Sequence, residues 1–193
     1  MKLLAFSDIH RDLAQCAELV RMSEQADVVI GAGDFASVHE GLEETIDALR
    51  PIQRPTILVP GNNETEDALR AACDGWEAAT VLHGAGTEID GVSFFGLGAG
   101  IPTTPWDWSF DLSEDEAAER LAACPEGGVL VVHSPPKGHL DAGFGSEAIL
   151  RTIEQKRPRV AVFGHIHECA GRQEELDSTL LANLGPSGRV LHI

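Results

Sequence analysis

Apolar runs alternate with amphipathic stretches along the first part of the chain. The runs are short, continuous and bounded by glycine or proline, which predicts buried strands. The stretches between them repeat apolar residues at helical spacing among charges. The predicted strands cover 2–7, 26–34 and 55–64, and the predicted helices cover 11–25, 39–50 and 65–73. This alternation is typical of βαβ units that form a parallel sheet.

The pattern changes after the third helix. The stretches ATVLHG, TEID and VSFFGLG predict short strands joined by glycine turns, as in β-hairpins. Further strands are predicted at 127–136 and 159–165, helices at 113–124 and 146–157, an irregular loop at 101–111, and a closing hairpin formed by STLLANLG and GRVLHI. No repeat or linker interrupts this order. We therefore expect one α/β domain over residues 1–193 with mixed sheets.

Charge narrows the classes of partner. The 193 residues carry 31 acids and 14 bases, a formal net charge of −17. Such a surface repels nucleic-acid backbones and anionic lipid, so a duplex-DNA partner and a membrane partner are disfavoured. No apolar stretch has the length of a membrane span, and the N-terminus lacks a signal-peptide pattern. We expect a cytoplasmic protein.

Side chains that bind metals follow five of the predicted strands. They are Asp8 with His10, Asp34, Asn62, His133, and His165 with His167. Ligand sites of α/β sheets lie at the carboxyl ends of strands, and the neighbouring glycines permit tight turns. Each histidine taken alone is equally compatible with packing in a core. The ordered set favours a metal site.

Imidazole, carboxylate and amide oxygen together suit Mn, Fe, Zn or Ni. Two such ions about 4 Å apart can be bridged by one carboxylate and one hydroxide, which is a strong nucleophile at neutral pH. The same cations can stabilise the charge that develops on a phosphoryl group. No serine or cysteine nucleophile is then required.

These motifs resemble those of the calcineurin-like metallophosphoesterase superfamily, whose signature runs D-x-H, G-D, G-N-H-[DE], H and G-H-x-H. The chain contains them in that order, with one position of the third motif changed, and the match extends from residue 6 to residue 167. The region after His133 is similar to small prokaryotic phosphoesterases of the family. The resemblance implies an α/β fold, a four-layer αββα sandwich of two mixed β-sheets flanked by helices.

The resemblance also implies a ligand set for two divalent ions, with Mn favoured over Fe, Zn or Ni. Asp8, His10 and His167 would hold one ion. Asn62, His133 and His165 would hold the other, and Asp34 would bridge the two. The bridging hydroxide would attack phosphorus in a small phosphorylated substrate, for which a nucleotide is one candidate.

One position departs from the signature. The third motif reads Gly61-Asn62-Asn63-Glu64, so Asn63 stands where the family usually has a histidine that contacts the phosphate. Asparagine can donate a hydrogen bond but cannot transfer a proton at neutral pH. We expect a phosphoesterase that favours diesters. A catalytically weak metal-binding scaffold for another protein is the alternative.

Four further side chains have open roles. His139 is a candidate substitute proton donor, and an exposed loop histidine is an equally good interpretation. Trp106 and Trp108 lie in the 101–111 loop, where they can stack on a nucleobase or pack the loop against the body, and packing is favoured. Glu64 is either an orienting group beside a ligand or a helix N-terminal acid.

Overall fold

Two β-sheets lie face to face at the centre of the molecule, in a computed structural model that describes residues 1–193. The strands are β1 (Lys2–Phe6), β2 (Val28–Ala32), β3 (Thr56–Val59), β4 (Ala79–Val81), β5 (Ala85–Ile89), β6 (Val92–Leu97), β7 (Val129–Val132), β8 (Val160–Phe163), β9 (Gln173–Leu176), β10 (Thr179–Asn183) and β11 (Arg189–His192). The helices are α1 (Leu13–Ser23), α2 (Leu42–Leu49), α3 (Glu66–Ala72), α4 (Glu114–Leu121) and α5 (Glu147–Lys156).

Both sheets are mixed, as the sequence predicts. The first has the order β11-β1-β2-β3-β4, and only the β1–β11 pair is antiparallel. The second has the order β5-β6-β7-β8-β10-β9, with antiparallel pairs at its two edges. The parallel strands in each sheet therefore end at the same edge.

Three apolar cores separate four layers. The first strand shows how: Leu4 and Phe6 pack against α1–α3, whereas Leu3 and Ala5 face the second sheet. The opposite face of the second sheet packs against α4 and α5. Strands buried on both faces explain the continuous apolar runs in the sequence. The predicted αββα sandwich is confirmed.

The helices begin where the sequence supplies caps. Ser113 accepts a hydrogen bond from the amide of Glu116, whose carboxylate in turn accepts from the amide of Ser113, and the two bonds form a capping box. Thr65 and Ser146 cap α3 and α5 with their side-chain oxygens alone, which accept from the amides of Ala68 and Ile149. Such caps typically contribute about 1 kcal/mol each. No helix combines the length and the apolarity needed to cross a membrane.

The predicted closing hairpin is wrong. β10 pairs with β8 and β9, whereas β11 crosses to the first sheet and pairs with β1. The hairpin in this region is β9–β10, which the sequence analysis missed because β9 is a charged edge strand without an apolar run. The β5–β6 hairpin is present, but β4 belongs to the other sheet.

Candidate metal centre

The predicted ligands meet at one place, where strands of both sheets end. Several occupy left-handed backbone directly after a strand: φ is 56° at Asp8, 58° at Asp34 and 67° at His165. This conformation costs an L-residue of order 1–3 kcal/mol and persists where surrounding structure fixes it. The turns therefore hold the side chains against local backbone preference.

One ligand group contains Asp8, His10 and His167. The Nε2 atoms of the two imidazoles are 3.3 Å apart, and His167 Nε2 is 3.6 Å from Asp8 Oδ1. Asp8 is fixed by the Ser7 hydroxyl, which donates to Oδ2 at 2.5 Å, and by the amide of His165. The carboxylate of the first motif is thus tied to the turn that carries the last motif.

The other group contains Asp34, His133 and His165. Asn62 joins it, since its Oδ1 lies 3.3 Å from His133 Nε2 and 3.2 Å from His165 Nδ1. The amide nitrogen of Asn62 donates to the Ser109 hydroxyl at 3.0 Å, which orients the oxygen towards the two imidazoles. The amide therefore presents an acceptor to the centre.

Asp34 lies between the two groups. Its Oδ2 is 3.5 Å from His10 Nε2, and its Oδ1 is 3.4 Å from His133 Nε2. Each carboxylate oxygen faces a different group, and the side chain is buried. This is the arrangement that a bridging carboxylate requires.

Two backbone carbonyls fix the tautomers of the imidazoles. His10 Nδ1 donates to the carbonyl of Ala36 at 3.0 Å, and His133 Nδ1 donates to that of Ala32 at 2.8 Å. Because a carbonyl can only accept, each neutral imidazole directs the lone pair of Nε2 at the centre. Carboxylate oxygens, an amide oxygen and imidazole lone pairs converge there, and this donor set fits divalent transition metals.

The pKa values of Asp34, His133 and His165 reflect the same geometry. Burial alone would raise the pKa of Asp34, but the neighbouring imidazolium of His133 holds that pKa well below its usual range. Burial opposes the charge on His133, yet the carboxylate of Asp34 raises the pKa of His133 to about 9. Burial, with the charge on His133 next, lowers the pKa of His165 to about 4. These opposite pKa shifts show that Asp34 and His133 stabilise each other's charged forms.

Glu64 braces the turns behind Asp34. Its carboxylate is buried and accepts from the amides of Asp34 at 2.9 Å, Gly61 at 2.6 Å and Ala36 at 3.0 Å. Burial, and then the charge on Asp34, raise the pKa of Glu64 to about 7. The orienting role considered from the sequence matches this geometry, because Glu64 faces the amides of the ligand turns.

Asn63 is buried, and both the nitrogen and the oxygen of its side-chain amide form hydrogen bonds. Its Nδ2 donates to Asp34 Oδ2 at 2.7 Å, and its Oδ1 accepts from the amide of Val38 at 2.8 Å. Its backbone amide also donates to Asp34 Oδ1. Asn63 therefore fixes Asp34, and its predicted contact with substrate stays a prediction.

His139 belongs to neither of the two ligand groups. Its Nδ1 donates to the carboxylate of Glu174 on β9 at 2.6 Å, and the ring is partly exposed. None of the predicted ligands is its hydrogen-bond partner. Its proposed role as a proton donor stays a prediction.

The sequence analysis missed Asn183, at the end of β10. Its buried amide nitrogen donates to the carbonyls of Gly164, Ile166 and Leu140. Asn183 thus ties the turn that carries His165 to the loop that follows β7. The available signal was an asparagine directly after a buried strand, the same signal that identified Asn62.

Glycine is required where the ligand turns touch. A Cβ on Gly61 would overlap the carboxylate of Asp34, and a Cβ on Gly164 would overlap Asp8 and Ser7. Both contacts involve a buried carboxylate that cannot move away. The glycines of the motifs thus permit the close backbone approach expected from the sequence.

Comparisons with known proteins show the family of the chain. The sequence profile described as "Calcineurin-like phosphoesterase superfamily domain" matches residues 1–192. A UPF0046 protein of Caenorhabditis elegans is 31% identical over 197 residues, which cover 89% of this chain and 65% of that protein. Metallophosphoesterase domain-containing protein 1 of Homo sapiens is 39% identical over 125 residues, 59% of this chain and 35% of its own length. The chain spans less than two thirds of these relatives.

Solved structures share the fold. A protein of Thermus thermophilus superposes with a TM-score of 0.80 at 18% identity, covering 96% of this chain and 90% of that one. A dimetal phosphatase from Danio rerio superposes with a TM-score of 0.63 at 13% identity, covering 96% and 88%. At these identities the likeness concerns the architecture alone.

Proposed function

The chain belongs to the calcineurin-like phosphoesterase superfamily, and on that premise we propose that it hydrolyses phosphate esters with two divalent metal ions. The observation that carries the proposal is the position of Asp34. Its two carboxylate oxygens face two separate ligand groups at distances of 3.5 and 3.4 Å from the nearest imidazole nitrogens. Neither a single-metal site nor a packed core requires a carboxylate whose two oxygens face two separate ligand groups.

We assign the ligands by group. Asp8, His10 and His167 would hold one ion, while Asn62, His133 and His165 would hold the other. Asp34 would be a ligand to both. When bound, the two ions supply a hydroxide nucleophile at neutral pH and stabilise the charge on the phosphoryl oxygens. Mn is the favoured metal, with Fe, Zn and Ni as alternatives that suit the same donors.

The residues around the ions perform the orienting work. Ala36 and Ala32 accept from His10 and His133 and hold their rings in the ligating tautomer. Asn63 donates to Asp34 Oδ2 and limits the rotation of the carboxylate. The reacting geometry is therefore fixed before substrate arrives, which is where most of the catalytic advantage of such sites originates.

Position 63 supports a preference for phosphodiesters and for good leaving groups. An asparagine whose amide is already bonded to Asp34 and Val38 cannot protonate a leaving oxygen. We propose His139 as the group that supplies this proton for poorer leaving groups. Glu174 accepts from Nδ1 of His139 and leaves Nε2 as the nitrogen that can exchange a proton with substrate.

The substrate we propose is small and phosphorylated, with nucleotide-like molecules as candidates. Duplex DNA and anionic membranes are disfavoured by the net charge of −17. A cytoplasmic location remains the expectation from sequence. The scaffold alternative predicts bound metal without turnover, so metal binding and hydrolysis have to be measured separately.

The test combines stoichiometry with substrate preference. Isothermal titration of metal-stripped protein with Mn²⁺ is expected to give two ions per chain, and Asp34→Asn is expected to weaken both. With Mn²⁺ bound, kcat/KM for bis(4-nitrophenyl) phosphate should exceed that for 4-nitrophenyl phosphate. One ion per chain would contradict the dinuclear assignment, and a strong monoester preference would contradict the diester assignment.

A further inference from the structure

A cavity of about 790 Å³ adjoins the candidate metal centre, and His165 lies on its wall. The other walls come from two loops. One is residues 102–106, and the other is residues 143–145 in the loop between β7 and α5. Trp106 and Phe144, one from each loop, are 51% and 69% exposed. Large aromatic side chains that face an open cavity beside a reactive centre are typical of ligand sites.

Trp106 is a fixed platform. Its ring stacks on Trp108 with centroids 5.5 Å apart and planes at 10°, so one face is covered and the other is left for a ligand. The carbonyl of Trp106 accepts from the amide of Ser109, whose hydroxyl donates to Asp111. Asp111 also accepts from the amide and the hydroxyl of Thr104. Such a preorganised loop loses little entropy when a ligand binds.

Phe144 stands on an equally ordered loop. The carboxylate of Asp141 accepts from the amides of Gly138 at 2.7 Å, Gly143 at 3.0 Å and Gly145 at 3.1 Å. The amide of Phe144 itself donates to the carbonyl of Asp141. The backbone around Phe144 thus holds its phenyl ring in an exposed position.

The charges on the cavity wall exclude a second phosphate. Glu114 is anchored, since its carboxylate accepts from the Ser146 hydroxyl and from two amides at the start of α5. Lys137 is the cationic side chain on the wall, and it is paired with Glu147 at 2.5 Å. The wall therefore carries the two carboxylates of Glu114 and Glu147 against the single ammonium of Lys137, which is paired with Glu147.

We propose that this aromatic cavity binds the non-phosphate part of the substrate, and that this part is a flat aromatic ring system without a second phosphate. The inference rests on the proposed function for the position of the phosphorus, and it goes further by assigning specificity to Trp106 and Phe144. The ring lies against the open face of Trp106 and is bounded by Phe144. A single phosphate group links it to the metal centre.

Non-hydrolysable ligands test the proposal. Calorimetry of the Mn²⁺-loaded protein compares 1-naphthylphosphonate with methylphosphonate, which reaches the metal centre alone, and with naphthalene-1,5-bisphosphonate. The naphthyl ligand should bind roughly tenfold or more tightly than methylphosphonate. The second phosphonate should remove that advantage. Trp106→Ala and Phe144→Ala should bring the naphthyl-to-methyl ratio towards one without changing methylphosphonate affinity.

Two further arms complete the test. Val190→Ala removes an exposed apolar side chain on β11 and should leave every affinity unchanged. In metal-free protein, 1-naphthalenemethanol should shift the indole NMR signal of Trp106, which tests the cavity without the metals. Failure of methylphosphonate to bind, with that shift present, counts against the proposed function alone. Equal naphthyl and methyl affinities, or an unmoved Trp106 signal, would overturn the proposal.

Discussion

Replacing Glu64 with glutamine tests how the ligand turns are held. The carboxylate accepts three short hydrogen bonds, from the amides of Asp34 and Gly61 to Oε1 and from the amide of Ala36 to Oε2. Glutamine has the same shape but only one accepting oxygen. Its NH₂ group would face the Ala36 amide, so at least one bond is lost and the other two lose their charge.

The magnitude follows from these bonds. A hydrogen bond to a charged group contributes about 1.5–3 kcal/mol, and a neutral one roughly half of that. Relief from the repulsion by Asp34 offsets part of the loss. We therefore expect Glu64→Gln to lower the free energy of unfolding by about 2 kcal/mol, which is a fall in Tm of roughly 4–8 °C for a domain of this size. Mn²⁺ affinity should also fall, by about tenfold or more.

The assay is thermal and urea unfolding of metal-free protein at pH 8.5, above the pKa of about 7 that burial and Asp34 give Glu64. Glu66→Gln is the matched control, because Glu66 lies on the surface of α3 and pairs with Arg70 at 2.8 Å. Loss of this ion pair should lower the free energy of unfolding by about 0.5 kcal/mol or less. Equal unfolding free energies for the two variants would refute the bracing role of Glu64.

Three other predictions follow from the same site. Because the pKa of His133 is raised to about 9, a metal ion must displace the proton of His133 below that pH. The Mn²⁺ affinity should therefore rise by up to about tenfold per pH unit towards pH 9 and then become constant. An Mn²⁺ affinity that calorimetry finds unchanged from pH 7 to 9 would contradict this. His139→Gln should lower kcat at least about tenfold for alkyl leaving groups and little for nitrophenyl ones, whereas the exposed control His192→Gln should change neither kcat. Equal losses of kcat for both leaving groups would show that His139 is not the acid. Asn183→Asp places a buried carboxylate against three carbonyl oxygens and should lower both the free energy of unfolding in urea, by about 3 kcal/mol, and the Mn²⁺ affinity. Asn183→Leu also removes an unpartnered oxygen and should lower the free energy of unfolding by less. The reverse order would show that the amide does not hold the turn.

The location of the site was predictable because it depends on local sequence. A buried strand followed by glycine and a ligand residue appears at Asp34 and at His165, and parallel strands bring such ends to one edge. The burial of the strands on both faces was likewise predictable from their continuous apolar runs. These features need no knowledge of distant contacts.

The remaining features depend on contacts between distant residues. The assignment of β11 to the first sheet was not predictable, because its apolar pattern is equally compatible with a hairpin beside β10. The bonds from Asn63 to Asp34 and Val38 join residues about 25 to 30 positions apart. The cavity between Trp106 and Phe144 likewise exists only once two loops of different sequence regions face each other.

The most direct measurement is hydrolysis of bis(4-nitrophenyl) phosphate by metal-stripped protein, with and without added Mn²⁺, beside the Asp34→Asn variant. The account predicts turnover that requires the metal and falls by at least about a hundredfold when Asp34 loses its charge. Absence of turnover with Mn, Fe, Zn and Ni, in protein shown to be folded and to bind two ions, would contradict it. The site would then be a metal-binding scaffold, with Asn63 as the reason for its inactivity.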